Sequence, residues 1–146
     1  MRIRLKQKIL VWAFLILTVC GLYHYYWGRH LYIVTAYCNC PICINVPKYY
    51  DGHFASGKHI RWGGIAADPK VPFGAQVELV PLLPQDWLAV FGLMKGRRDF
   101  TVEDRGGKIK GKHIDLFFPD SLGGHKAAKA WGKRYLRLKI NGRWAD

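Results

Sequence analysis

Residues 9–27 (ILVWAFLILTVCGLYHYYW) pass without a charge, and beyond them apolar and polar positions change places every few residues. The first pattern is that of one continuous helix. At about 1.5 Å per residue it reaches roughly 28 Å, close to the thickness of a bilayer core. The second pattern is that of short strands. Residues 31–37 (LYIVTAY) are β-branched and aromatic, 75–80 (AQVELV) alternate, 99–103 (DFTVE) read as a strand, 113–118 (HIDLFF) alternate around an acid, and 135–140 (YLRLKI) set apolar against basic positions. Runs of this kind predict half-buried strands with one face on a core. Asp51-Gly52, Ser56-Gly57, Asp68-Pro69 and Pro72-Phe73-Gly74 supply turns between them, and the proline after Asp68 keeps that residue out of a helix interior. Residues 81–99 have no period of 2, and Trp87, Leu88, Phe91 and Met94 fall on one side of a short helix. A second short helix fits between Ser121 and Gly132, where Ala127, Ala128, Ala130 and Trp131 recur. Five or six short strands with one or two small helices predict a mainly β, closed barrel, not a layered α/β sheet.

Charge divides the chain at about residue 30. Five of the 23 basic residues lie before that point with no acid among them, and the remainder holds eighteen basic and ten acidic residues, a net charge of +8 out of +13. Arg2, Arg4, Lys6 and Lys8 precede the uncharged run, so the positive-inside rule places the chain beyond that run outside the cytoplasm. Tyr23, Tyr25, Tyr26 and Trp27 have the composition of an interfacial aromatic belt, which favours a retained membrane anchor over residues 1–30 and an exported domain over 31–146. Val19 and Gly21 leave a cleaved signal peptide as the alternative, and residues 17–20 (LTVC) resemble a lipoprotein box except at Val19. A periplasmic or extracellular domain of +8 suits a polyanionic partner such as an acidic wall polymer, and export argues against nucleic acid.

Cys38, Cys40 and Cys43 form C-x-C-x-x-C in the exported part, while Cys20 sits in the hydrophobic run. An oxidising compartment favours a disulfide closing Cys43 onto Cys38 or Cys40. A three-thiolate metal site completed by His53 or His59 is the weaker reading, since paired C-x-x-C halves are absent.

Residues 106–113 (GGKIKGKH) match the phosphate-binding loop G-x-x-x-x-G-K-[ST] until His113 breaks it. Such a loop must lead into a helix whose N-terminus holds the phosphates. Here it leads into alternating strand-type sequence, which predicts a basic, Gly-rich connection between two strands and no ATP site. That connection joins Asp104 to Asp115, and two carboxylates brought close cannot both ionise easily. One of them then becomes a neutral carboxyl fit for general acid chemistry. Asp115 interrupts an apolar strand, where an unpaired carboxylate is costly; Asp68 is a third candidate. Asp51, Asp99 and Asp120 read as turn residues.

The segments TAY (35–37), ASG (55–57), AADPKVPFG (66–74), VEDRGGKIKGKHIDLFF (102–118) and AWGKR (130–134) together resemble the three-aspartate (3D) domain. That domain is a double-psi β-barrel shared with membrane-bound lytic transglycosylase A and related to the rare-lipoprotein-A and expansin barrels. The resemblance spans about residues 33–140, and its core D-x-G-G-x-I-K-G-x-x-x-D is specific. It implies a six-stranded double-psi barrel behind a hydrophobic N-terminal helix, with the three aspartates at Asp68, Asp104 and Asp115 and the catalytic acid at Asp115. It further implies cleavage of peptidoglycan glycan strands in wall turnover without a cofactor, by lytic transglycosylation or O-glycosyl hydrolysis. The alternative is a non-catalytic wall-binding module, as the expansin relationship permits. Substrate contacts are expected at Tyr37, Ser56, Lys110 and His113, with Tyr37 and Trp62 stacking on sugar faces. Two departures stand out: the full transglycosylase has a second groove-forming domain that 146 residues do not supply, and residues 81–99 exceed the minimal family connection.

Overall fold

Strand-forming runs of this length leave unpaired edges unless the sheet closes on itself, and here it closes. The computed structural model describes residues 5–28, 30–44, 46–47 and 51–145. Arg2 and Arg4 of the basic start lie outside them, as do the side chains of Lys6, Tyr26 and Trp27. In chain order the elements are α1 (Leu5–Gly28), β1 (Leu31–Tyr37), β2 (Gly64–Ala67), β3 (Gln76–Val80), α2 (Pro84–Leu93), β4 (Asp99–Asp104), β5 (His113–Phe117), a 3-10 turn (Asp120–Leu122), α3 (Gly124–Trp131), β6 (Arg134–Ile140) and β7 (Arg143–Trp144). The strands follow the order β1-β5-β2-β4-β3-β6-β7, and β1 also pairs with β6, so six strands close and β7 only extends β6 as a hairpin.

Two compact units result, one holding α1 and the other Leu31–Ala145. The helix α1 exposes Ile9, Leu10, Phe14 and Leu17 along its length. Among the described residues, no helix is long and apolar enough to cross a membrane.

In the second unit the predicted alternation is carried out strand by strand. Val34, Leu79, Val102, Leu116, Leu136 and Leu138 are fully enclosed in the barrel interior, each worth about 1.5–3 kcal/mol relative to exposure. The helix α3 seals one side: Ala127, Ala128 and Trp131 turn inward, and the Trp131 indole N–H donates to the Val34 carbonyl at 3.1 Å. The helix α2 begins at Pro84, whose missing N–H costs nothing at a first helical position. The Asp86 carboxylate accepts from the Leu83 amide at 3.3 Å and pairs with Arg134 at 3.1 Å.

Three expectations are corrected. The inward face of α2 carries Ala89 and Val90, followed by Met94, whereas Trp87, Leu88 and Phe91 remain outside. Only Met94 of the predicted apolar set is inside, because Asp86 must face Arg134 and this fixes the rotation of the helix. Trp62, expected to stack on sugar faces, packs against Phe100 and Phe118 at the core margin, with ring centroids 5.4 and 5.2 Å away, and is not among the cleft-lining residues. Finally, Asp104 and Asp115 do not approach each other across a tight connection between adjacent strands. The strand β2 lies between them, parallel to β4 and antiparallel to β5, so residues 105–112 cross over one strand. The connection from β1 to β2 likewise crosses β5.

Candidate active site

The crossing of β2 between β4 and β5 decides where the acids meet. Ala66 is the register partner of Asp104 on one side and of Asp115 on the other, and a bulge between Ile65 and Ala66 sets this alignment. The two carboxylates therefore stand on either side of a methyl group, and neighbouring strands are about 4.8 Å apart. Both line a cleft of about 700 Å³ with Tyr37, Phe54, Ala66 and Arg105. That volume is within the usual range for a site holding a small ligand. Gly64, two residues before Ala66, lies directly beneath the Phe54 ring, so any Cβ there would collide with it. Phe54 in turn sits edge-on to Phe117 at 5.4 Å and floors the cleft.

Asp104 and Asp115 are held in contrasting ways. Asp104 accepts from three donors: the Tyr37 hydroxyl, the Ala55 amide at 3.0 Å and its neighbour Arg105's amide at 2.8 Å. Asp115 has one side-chain donor, the Thr35 hydroxyl, at 2.7 Å. Burial pushes the Asp115 carboxyl up from 3.8 to about 6; the Thr35 hydrogen bond opposes this, and the Asp104 charge adds to it. Arg105, the nearest candidate to cancel the effect, points elsewhere: its guanidinium donates to the carbonyls of Asp104 at 3.0 Å and Val71 at 2.6 Å and lies 4.0 Å over the Phe73 ring.

His113 is joined to the acid through Thr35, whose hydroxyl oxygen lies 2.9 Å from His113 Nε2. Burial pushes this imidazole below its ordinary value, a hydrogen bond to the Lys108 backbone opposes the shift, and Lys133 reinforces it. The Thr35 hydroxyl suits either state of the acid: it donates to Asp115 when the carboxylate is ionised and accepts from it when the carboxyl is protonated.

Asp68 has a different position from the other two aspartates. Its oxygens accept from the amides of Lys70 at 2.8 Å and Gly111 at 2.6 Å. These bonds, with the charges of Lys70 and Lys110, hold its carboxyl below the ordinary value. Gly111 has a φ of +61°, the left-handed region that favours glycine, and presents its amide to Asp68 there. Asp68 thus ties down the 105–112 connection and is not among the cleft-lining residues. This connection runs from strand to strand with no helix after Lys112, as expected of a loop that is not a phosphate site.

The other expected contacts fall as follows. Tyr37 lines the cleft, but its hydroxyl is committed to Asp104, and burial, followed by Asp104, raises its pKa. Ser56 lies in the turn above β4, its amide on the Glu103 carbonyl at 2.9 Å, and Lys110 is exposed on the connection. Neither they nor His113 are among the cleft-lining residues. Sequence reasoning missed three residues that shape the site: Thr35, Ala66 and the enclosed Glu103, which holds Lys58 at 2.8 Å and Arg61 at 3.3 Å. All three sit inside quoted motifs, yet the relevant signal is cross-strand register, which spacing along one chain does not carry.

The cysteines differ from both sequence readings. Cys38, Cys40 and Cys43 are free thiols, with sulfurs 2.9 Å apart for Cys38 and Cys40 and 3.5 Å for Cys38 and Cys43. Neither His53 nor His59 approaches them as a fourth ligand. Those two pair with each other, ring centroids 4.2 Å apart, and His125 takes that place instead.

The 3D domain signature matches residues 63–141, just over half of the chain. The chain belongs to the 3D domain family. The match takes in Ala66, Asp68, Asp104 and Asp115, while β1 with Thr35 and Tyr37 precedes it. Crystal structures of MltA from Escherichia coli are similar to this 3D domain protein. One has 28% identity and a TM-score of 0.41, one described as a unique lytic transglycosylase fold has 26% and 0.42, and one with bound chitohexaose has 24% and 0.42. Each alignment covers 60% of this chain and 26% of that protein, so the chain spans about a quarter of MltA's length. With TM-scores below 0.5 these likenesses carry no weight in assigning a function. No curated protein matches the chain.

Proposed function

We propose that this 3D domain protein cleaves the glycan strands of peptidoglycan, with Asp115 as a single general acid and base. The observation that carries the reading is Asp115 itself: a half-buried carboxyl beside a ligand-sized cleft, with its pKa pushed up to about 6. Membership of the 3D family supports the same assignment, and we read the two strand crossings as the double-psi arrangement of that family.

In the proposed reaction the protonated Asp115 carboxyl donates to the glycosidic oxygen as the bond to the anomeric carbon breaks. The C6 hydroxyl of the muramyl sugar attacks that carbon and gives its proton to the Asp115 carboxylate, which restores the acid and leaves a 1,6-anhydro end. One carboxyl serves both steps, and no water has to be placed. Hydrolysis needs a second carboxylate free to act as nucleophile or base. The Asp104 carboxylate is engaged by three donors, which leaves it less free for that part, and its charge adds to the upward shift of Asp115.

The reading requires a location outside the cytoplasm, and the basic residues ahead of the uncharged 9–27 run support export with either a retained or a cleaved segment. Protease accessibility of the barrel in intact and permeabilised cells tests that part separately. For the chemistry, the chain is incubated with purified cell wall and the soluble products are analysed by mass spectrometry, with Asp115→Asn alongside. Release of anhydro ends by the wild type and none by the variant is expected. Retention on insoluble wall with no soluble product from either would point to a binding module, and reducing ends would point to hydrolysis.

A further inference from the structure

We propose that Cys38, Cys40, Cys43 and His125 form a structural zinc site that clasps the segment after β1 to the first turn of α3. The four ligand atoms, three sulfurs and the His125 Nδ1, all lie within 4.8 Å of one another. Tetrahedral zinc with Zn–S of about 2.3 Å and Zn–N of about 2.0 Å requires sulfur pairs about 3.8 Å apart and sulfur–nitrogen pairs about 3.5 Å apart. His125 Nδ1 is 3.5 Å from both the Cys40 and the Cys43 sulfur, and Cys38 is 3.5 Å from Cys43. The Cys38–Cys43 pair is about 0.3 Å under that spacing, and the 2.9 Å pair of Cys38 and Cys40 is the shortest. It has to open by about 0.9 Å to meet the tetrahedral spacing, a movement within side-chain rotation.

The arrangement suits a metal better than a disulfide. A disulfide uses two sulfurs and gives the third thiol and the imidazole no part, whereas here all four donors converge on one point. The backbone is shaped to match. Residues 40–43 form a turn in which the amides of Cys43 and Ile44 bond to the Cys40 carbonyl at 3.1 and 2.8 Å, and the amides of Ile42 and Cys43 point at the Cys40 sulfur. Cys38, the residue after β1 and 1% exposed, joins them. Three thiolates and one imidazole are a soft donor set that selects zinc over hard cations. Four protein ligands leave no open position, so the role is structural.

The ligands come from segments more than 80 residues apart in sequence, 82 between Cys43 and His125 and 85 between Cys40 and His125. Cys43 and Ile44 line the same cleft as Asp104 and Asp115. A metal at this point therefore fixes one wall of the candidate active site against α3. The proposal does not depend on the reaction carried out there.

The test uses the full chain, purified, reduced, incubated with zinc and freed of unbound metal, then assayed for metal content. We expect about one zinc per chain. Cys40→Ser and His125→Ala should each drop to background, while His125→Cys, which supplies a fourth thiolate, should keep the metal. In parallel, cobalt should give tetrahedral ligand-field bands with thiolate charge transfer, and His125→Ala should change both. Two results overturn the proposal: reduced wild-type chain that takes up no stoichiometric zinc, and a cobalt spectrum that His125→Ala leaves unaltered. Both readouts on the wild type stand even if a variant fails to fold.

Discussion

Replacing Asp115 by asparagine should stabilise the barrel at neutral pH while removing its proposed activity. The folded-state pKa of about 6 lies above the ordinary 3.8, so between about pH 4 and pH 6 the folded chain holds more protons than the unfolded one. Stability therefore falls as pH rises through this window. The loss is complete once Asp115 is ionised in both states. About two pKa units at 1.36 kcal/mol each amount to about 3 kcal/mol at pH 7.5. Asparagine keeps the shape, cannot ionise, and can still accept from the Thr35 hydroxyl. The variant and wild type should have similar stability near pH 4, and the variant should gain about 3 kcal/mol over the wild type by pH 7.5. The assay is urea denaturation of both across that range. With a urea m-value of about 2 kcal/mol per molar, the midpoints should separate by about 1.5 M at the upper end. Other titrating groups are common to both chains, so the difference isolates Asp115. A difference that stays flat with pH, or a wild type more stable at pH 7.5, would refute the account of a buried carboxyl held protonated.

Thr35→Val removes the hydroxyl that favours the ionised form, so the fall in glycan release on the alkaline side should move above about pH 6, at a cost of about 1–2 kcal/mol in stability. An unmoved pH profile would detach Thr35 from the acid. Asp68→Ala frees the Gly111 amide, and hydrogen exchange at that amide should accelerate while the core strands stay protected; equal protection would show that Asp68 does not hold the connection. Trp131→Phe retains most of the core volume but strands the Val34 carbonyl, which should cost about 1–3 kcal/mol by denaturant titration, and a neutral result would remove the indole from the account of how α3 is docked.

The sequence was most informative where one period dominates. The alternation in residues 31–37 and 135–140 is visible without a structure because each strand buries one face, and β1 and β6 appear at those places. The helix α3 could be placed for the same reason, through alanines and Trp131 recurring on one side. The α2 face could not, since an acid there is paired with Arg134 across a long sequence separation and turns the helix away from its most apolar side. For the acids, the letters around Asp104 and Asp115 suggested proximity through a short connection. The fold brings them to one cleft by a different route, with β2 between them. His125 was invisible as a partner of the thiols, because nothing local marks a histidine 82 residues away from the nearest of them.

These contrasts bear on how an acid of this kind is made. Along β5, Ile114 and Leu116 point into the barrel interior, so Asp115 lies on the opposite face together with His113 and Phe117. A strand's outer face is ordinarily wet, and a wet carboxyl keeps its usual pKa. Asp115 departs from it through burial, and the turn at residues 51–57 lines the cleft with it: Phe54 packs on Phe117, Ala55 donates to Asp104, and Ser56 holds the Glu103 carbonyl. Lys58, just after this turn, ties it down again through Glu103. The barrel supplies position, and burial at the cleft raises the acid. A segment with no strand period at all thus shares the cleft with the acid and is held there by contacts to β4 and β5. Changes confined to that turn should tune the acid without touching the aspartates, provided Ala55 and Phe54 keep their places.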